Sequence, residues 1–172
     1  PTTVEAVCRA LLALPDIETA VRRRGDTDLL RALVESPRYK GMELTAYADR
    51  LDAESQTQFS AITVKLEEDH YCVAYRGTDN TLIGWKEDFN MGFVCPVPGQ
   101  KLAVDYLQRA ARRLPGRLTV CGHSKGGNFA VYAAAFCGEE IQDRIEAVYN
   151  YDGPGFDSKV LSEPGYQRIC QK

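Results

Sequence analysis

A serine between two closely spaced glycines is the residue of this sequence best suited to chemistry. Ser124 lies in the string GHSKGGN, where Gly122 and Gly126 complete a G-x-S-x-G pattern. Residues 117–121 before it are predicted to form a short strand, and the Ala-rich residues 125–137 after it a helix. A strand-to-helix turn this sharp lifts the serine clear of the sheet, and a side chain at either glycine would collide with backbone. The pattern therefore predicts a nucleophilic serine.

The same turn predicts half of an oxyanion hole. The backbone N–H of Lys125 would lie at the N-terminus of the predicted helix, where unpaired donors and the helix dipole favour negative charge. Such a donor can stabilise the oxyanion of a tetrahedral intermediate. The alternative is a glycine-rich turn without chemistry. The string lacks the G-x-x-x-x-G-K-[ST] order of a phosphate-binding loop.

The predicted elements indicate an α/β fold with a mixed, mostly parallel sheet and helices on both faces. The first 36 residues are predicted to form N-terminal helices, and residues 37–172 a single α/β core. Residues 59–66 alternate as a strand, with the apolar face assigned to the set that contains Ile62 and Val64. From residue 100 onward, helix and strand alternate, which predicts parallel pairing.

Composition excludes several other classes of protein. The net charge is −3, and the basic run Arg22-Arg23-Arg24 is interpreted as a solvated helix end, so we expect no nucleic-acid partner. The cysteines form no C-x-x-C pair, which predicts reduced thiols, no metal site and a cytoplasmic location. No apolar run approaches the roughly 20 residues needed to span a bilayer. The chain begins at Pro1, so its natural N-terminus is expected to be missing.

Three strings resemble class 3 lipases. YRGTD at residues 75–79 is similar to their F-R-G-T strand end, WKED at 85–88 to the W-x-x-D that follows, and GHSKGG to their G-H-S-x-G-G. Together with YNYDGPGF at 149–156, these strings are closer still to the Mbeg1-like (DUF2974) branch of α/β-hydrolases. The resemblance runs from about residue 36 to the end of the chain, and it implies that residues 37–172 are an incomplete α/β-hydrolase core of the class 3 lipase type.

The resemblance implies roles for three further residues. Thr78 would supply the second oxyanion donor, and Asp88 would accept a hydrogen bond from its hydroxyl. Trp85 would lie near the acyl-binding groove. The alternatives are a solvated surface acid for Asp88 and a core anchor for Trp85, and the core anchor is the favoured interpretation of Trp85.

The base and acid of a catalytic triad are harder to assign. His123 adjoins Ser124 on the strand and its ring points to the opposite face, while His70 begins a strand that ends near the site, roughly 25 Å away. We therefore expect neither histidine to act as base. Asp152, directly after the last predicted strand, is the tentative acid, although an Asp-Gly-Pro-Gly turn explains it as well. Asp157 is a weaker candidate.

These observations predict acyl ester hydrolysis through a Ser124 acyl-enzyme. In this fold the order along the chain is serine, acid, histidine, so the base is expected beyond Lys172 and the chain is interpreted as truncated. An acyl ester or lipid is the expected substrate, contact with a lipid interface is compatible with it, and no cofactor is implied. The alternatives are an acyltransferase of the same fold and a non-catalytic interaction module.

Overall fold

The computed structural model describes residues 1–17, 25–79 and 81–172, so the arginine run at 22–24 lies outside the described residues. The strands are β1 Thr2–Thr3, β2 Glu43–Asp52, β3 Thr57–Glu67, β4 His70–Tyr75, β5 Arg117–His123 and β6 Ile145–Tyr151. The helices are α1 Val4–Leu12, α2 Asp26–Glu35, α3 Leu82–Asn90, α4 Pro98–Arg113, α5 Lys125–Phe136, α6 Glu139–Arg144, α7 Ser158–Ser162 and α8 Pro164–Ile169. Helices and strands alternate along the second half of the chain, as the sequence predicts.

The six strands form one mixed sheet in the order β1-β2-β3-β4-β5-β6, which confirms the α/β class. The expectation of a mostly parallel sheet is wrong for the described strands. Three neighbouring pairs, from β1 to β4, are antiparallel, and two, β4–β5 and β5–β6, are parallel. The physical reason is loop length, because residues 53–56 and 68–69 join β2, β3 and β4 as hairpins, and a parallel pair needs a longer crossover.

The N-terminal segment is attached to this sheet at its edge. Thr2 and Thr3 pair with Leu44 and Glu43 of β2, and the N–H of Val4 donates to the carbonyl of Met42 at 2.9 Å. Backbone hydrogen bonds therefore join the segment before residue 36 to the sheet after it. The predicted domain boundary after residue 36 stays a prediction.

The core lies on the face of β3 opposite to the one assigned from the sequence. Phe59, Ala61 and Thr63 are buried, whereas Ile62 and Val64 are only half-buried on the other face. Both faces of β3 carry apolar side chains, so alternation alone could not select the one that α4 and α5 cover. The hydroxyls of Thr63 and Tyr106 lie 2.9 Å apart and satisfy each other within this core.

Helices flank both faces of the sheet, but unequally. Buried side chains of α4 and α5 pack against the core face. On the other face, Val7 and Leu11 of α1 border an open apolar cavity of about 730 Å³ together with Leu44 and Ile62. Further along that face, Tyr149 and Tyr151 of β6 are stacked on each other and half exposed. The core therefore sits between the sheet and the α4–α5 pair, directly behind the ends of β4 and β5.

Candidate active site

Ser124 occupies the single residue between the end of β5 and the start of α5. Its φ of 55° and ψ of −131° lie outside the regions that most residues adopt. A Cβ built on Gly122 would come 2.1 Å from the carbonyl oxygen of Gly126, and one built on Gly126 would come 2.3 Å from that of Tyr75. Only glycine fits at both positions, which is why the chain can turn so sharply here.

The segment after β4 passes directly beside this serine. A Cβ on Gly77 would come 2.7 Å from the carbonyl oxygen of His123 and 3.3 Å from the Cβ of Ser124. Thr78 is the next residue and lies beyond the end of β4 at Tyr75, so it belongs to a loop rather than to the strand end. The close approach brings Thr78 and the N-terminus of α5 to the same edge of the sheet, where parallel strands present their carboxyl ends.

The side chain of Thr78 is hydrogen-bonded to helix α3. Its hydroxyl donates a short hydrogen bond to the Oδ2 of Asp88, so the expected Thr78–Asp88 contact is present. Asp88 is half-buried, which excludes the alternative of a solvated surface acid. Its Oδ1 is buried and has no hydrogen-bond partner among the described residues. One oxygen of this carboxylate therefore fixes the threonine side chain, while the other remains an unpaired acceptor.

The side chain of Lys125 points into the core, which sequence reasoning missed. Its Nζ is fully buried and donates to Glu87 Oε2 at 2.9 Å and to the Gln58 carbonyl at 3.0 Å. The Glu87 carboxylate is buried as well and accepts from the backbone N–H groups of Gln58 and Gly99. The only sequence signal was an unexplained lysine at the start of an otherwise small and apolar helix.

The start of α3 is fixed by a small polar cluster. The Thr81 hydroxyl caps the helix by accepting from the N–H of Gly84 at 3.1 Å, and Asp79 Oδ1 accepts from both the N–H and the hydroxyl of Thr81. Burial opposes ionisation of Asp79, but the Thr81 hydrogen bonds and the positive charge of Arg76 outweigh it and lower the pKa of this carboxylate.

The outward side of α3 is apolar and exposed. Trp85 is 62% exposed, so its interpretation as a core anchor is wrong. It shares this surface with other large side chains that are 52–79% exposed, and we call the set the α3 apolar surface: Leu82, Trp85, Phe89, Phe93 and Val94. The rings of Phe89 and Phe93 lie 5.2 Å apart. A contiguous exposed patch of this kind is typical of an interaction or ligand-binding surface.

A cavity of about 340 Å³ opens next to this surface, between the residues that follow α3 and the loop that follows β6. Phe93, Val94 and Phe156 contribute apolar walls to it, and Asn128 borders it one turn after Ser124. The Asn128 side chain accepts from Gln100 Nε2 at 2.8 Å and donates to the Pro154 carbonyl at 3.0 Å. This buried amide ties the β6 loop to the helix that carries the serine at its start.

The end of β6 also reaches the serine. The N–H of Ser124 donates to the carbonyl of Tyr151 at 2.8 Å, and Asp152 follows with a positive φ of 56°. The Asp152 side chain is exposed and makes no hydrogen bond to another described residue. Asp157 instead caps α7 by accepting from the N–H of Val160 at 3.0 Å, which accounts for its position without chemistry.

Neither histidine makes a hydrogen bond to the Ser124 side chain among the described residues. His70 pairs with Arg117 at the start of β5, seven residues before Ser124, or roughly 23 Å along the strand. Its Nε2 lies 2.9 Å from the Thr119 hydroxyl. His123 is exposed and pairs with Tyr151 on the adjacent strand. His70 is therefore too far from Ser124 to act as its base, and that His123 does not act as base stays a prediction.

The described residues contain no group of three or more side chains that could hold a metal ion. The six cysteines are free thiols, and the sulfurs of Cys72 and Cys121 lie 3.5 Å apart on adjacent strands. Within the described ranges, no helix is both long enough and apolar enough to cross a membrane.

Comparison with known proteins finds similarity to a solved structure and to a protein family. A fungal lipase–inhibitor complex, described as a model for interfacial activation in lipases, is similar over 78% of this chain and 52% of that chain, with 15% identity and a TM-score of 0.42. The chain thus spans about half the length of that lipase. No curated protein sequence matches the chain. A model of the Mbeg1-like family matches residues 33–172, and the chain therefore belongs to the Mbeg1-like family.

Proposed function

We propose that this protein is a serine hydrolase that cleaves acyl esters through a covalent intermediate on Ser124. The observation that carries the proposal is the backbone of Ser124, which adopts a rare conformation at the turn between β5 and α5 with the Gly77–Thr78 segment packed against it. Backbone strain of this kind is typical of functional positions. Ser124 is half-buried beside two potential oxyanion donors, and a serine so placed is what acyl transfer requires.

In the proposed reaction, the Ser124 Oγ attacks the ester carbonyl and its proton passes to a base. The carbonyl oxygen becomes an oxyanion, which the backbone N–H groups of Lys125 and Thr78 stabilise, while the Thr78 hydroxyl stays hydrogen-bonded to Asp88. Collapse of the tetrahedral intermediate breaks the ester bond, and the leaving oxygen takes the proton back from the base and departs as the alcohol. Water, deprotonated by the same base, then hydrolyses the acyl-enzyme, which releases the carboxylic acid and restores the Ser124 hydroxyl. Asp152 is the proposed acid of the triad. We propose that a histidine supplied by a longer form of the protein acts as the base.

A lipid or another ester with an apolar acyl chain is the proposed substrate. The α3 apolar surface supports this choice, because α3 also carries Asp88, whose carboxylate accepts from Thr78. An ester that enters along α3 would therefore reach the serine with its acyl chain against Trp85 and Phe89. Contact with a lipid interface would bury the same side chains.

The measurement that tests the reaction is hydrolysis of p-nitrophenyl butyrate. In a longer form of the protein that contains a downstream histidine, Ser124→Ala should lower the rate by orders of magnitude, and Ser162→Ala, a serine on α7 away from the turn, should leave it unchanged. Without a base the 172-residue chain should be slow, at about 10³–10⁴ over water, which is the residual rate of the oxyanion hole and substrate binding alone. Equal rates of Ser124→Ala and the unchanged protein in the longer form would refute the proposal.

The substrate class is tested by the fluorescence of Trp85, the only tryptophan of the chain. Phosphatidylcholine vesicles should shift its emission to shorter wavelength, and Phe89→Ser should weaken the partition roughly tenfold because a buried ring is lost. Tyr47→Ser removes an equally exposed aromatic side chain on β2 and should change nothing. Equal effects of the two variants would mean that α3 is not the lipid contact.

The non-catalytic interaction module remains the second candidate, since the α3 apolar surface would serve a protein partner as well. It predicts no Ser124-dependent hydrolysis in either length of the protein.

A further inference from the structure

A charged pair lies fully buried directly behind the candidate nucleophile. The side chains of Lys125 and Glu87 are 0% and 1% exposed, and their charged atoms approach to 2.9 Å. Removing two charges from water is unfavourable unless their geometry is good and their other hydrogen bonds are satisfied. The core of the protein is formed by apolar side chains such as Phe59 and Phe129, and residues of that kind could have filled the same space with apolar atoms. We therefore expect the buried Lys125–Glu87 pair to have a role beyond filling volume.

The hydrogen bonds of Glu87 connect four elements of the fold. Its Oε2 accepts from Lys125 at the start of α5 and from the N–H of Gln58 in β3 at 3.0 Å. Its Oε1 accepts from the N–H of Gly99 in the first turn of α4 at 2.9 Å. Lys125 in turn donates to the Gln58 carbonyl. The carboxylate therefore fixes α3 against β3, α4 and α5 at one point.

Asp88, the residue after Glu87 on α3, contacts Thr78, which is the other residue assigned as an oxyanion donor. Asp88 accepts from the Thr78 hydroxyl, as Glu87 accepts from the Lys125 ammonium. Thr78 and Lys125 are the two residues assigned as oxyanion donors. Two consecutive carboxylates on one helix thus hold both donor residues, so the placement of α3 sets the distance between them.

We propose that Glu87 and Lys125 are positioning residues for the oxyanion hole, which makes α3 a fixed wall of the site rather than a segment that swings open. This inference rests on the proposed function for its catalytic meaning. If α3 moved away, Lys125 would remain buried without its carboxylate, and Gly99 and Gln58 would lose an acceptor. The outward apolar side chains of α3 can contact a lipid without any such movement.

The test separates positioning from simple support of the fold. Ser124-dependent hydrolysis of p-nitrophenyl butyrate and urea unfolding are measured for Lys125→Met, Glu87→Gln and the double variant, with Lys86→Met, an exposed lysine on the same helix, as control. Each single change should lower kcat about 10- to 100-fold with KM within about twofold, because the donors are displaced. The double variant removes both charges, so its stability should recover while kcat stays low. Recovery of kcat together with stability would overturn the proposal, because it is what a purely structural pair predicts.

A second measurement does not depend on catalysis. Amide hydrogen exchange should show protected α3 amides in the unchanged protein, and Lys125→Met should accelerate exchange at residues 82–90 and 125–128 together by about tenfold or more. Lys86→Met should leave both segments unchanged. Acceleration confined to one of the two segments would overturn the coupling, whatever the hydrolysis assay shows. Loss of the proposed function would appear instead as hydrolysis that is independent of Ser124, with the exchange result intact.

Discussion

Helices α3 and α4 follow one another in the chain and are built in opposite ways. In α4 the apolar side chains of Ala103, Tyr106 and Leu107 are buried, and charged residues such as Asp105 and Arg109 face solvent. In α3 the carboxylates of Glu87 and Asp88 face the protein, and Leu82, Trp85 and Phe89 face outward. The first arrangement is the usual consequence of the hydrophobic effect. The arrangement of α3 cannot be explained by burial of these large apolar side chains. Hydrogen bonds and an ion pair of Glu87 and Asp88 fix α3 to the protein. The apolar side chains on its outward side are exposed and could contact a ligand.

The largest expected effect is on the free energy of unfolding. It tests whether the apolar side chains of α4 stabilise the fold and those on the outward side of α3 do not. Leu107→Ala removes a fully buried side chain from the core and should lower the free energy of unfolding by about 2–5 kcal/mol. Phe89→Ala, the larger truncation, should change it by only about 0.5 kcal/mol, because the ring is 71% exposed. Urea unfolding measures both. Similar losses would mean that the outward face of α3 supports the fold.

The next effect concerns the polar side of α3. Thr78→Val keeps the volume of the side chain but removes the hydroxyl that Asp88 accepts from, so the backbone donor of Thr78 is no longer held in place and kcat should fall by about 10²-fold. Thr78→Ser keeps the hydroxyl and should retain most of the rate. Ester hydrolysis by both variants is the measurement. If the valine variant keeps its full rate, only the backbone of this segment contributes.

The smallest effect concerns the start of α3 and its dependence on pH. The pKa of Asp79 is lowered in the folded protein, so its contribution to stability is present above the usual aspartate value of about 3.8 and is lost as the pH falls below it. Trp85 fluorescence between pH 5 and pH 2 should report this local loosening. Asp79→Asn should remove the change in fluorescence between pH 5 and pH 2. Thr81→Ala should lower the free energy of unfolding by about 1 kcal/mol, because the N-terminal cap of α3 is lost. An unaltered acid transition in Asp79→Asn would assign the transition to another group.

The contrast between the two helices also explains what could be predicted from the sequence. The turn at Ser124 was predictable because its causes are local, namely two glycines and the elements on either side. The Thr78–Asp88 contact followed from the resemblance to class 3 lipases. Helix α4 was recognisable from its apolar period alone, since propensity and burial agree there.

The features that were missed depend on contacts between distant parts of the chain. Lys125 and Glu87 are separated by 38 residues, and no local pattern pairs a lysine with that carboxylate. Trp85 was assigned to the core because large aromatic side chains are usually buried, and the structure exposes it. The buried face of β3 depended on where α4 and α5 would pack, which the alternation of Phe59, Ala61 and Ile62 does not specify.

The central claim is that Ser124 is the nucleophile, and covalent labelling tests it most directly. The protein is incubated with a fluorophosphonate, digested, and the modified residue is located by peptide mass spectrometry. The account predicts one adduct on Ser124, formed slowly in the 172-residue chain, absent in Ser124→Ala and retained in Ser162→Ala. An adduct that persists in Ser124→Ala, or that maps to another residue, would contradict it.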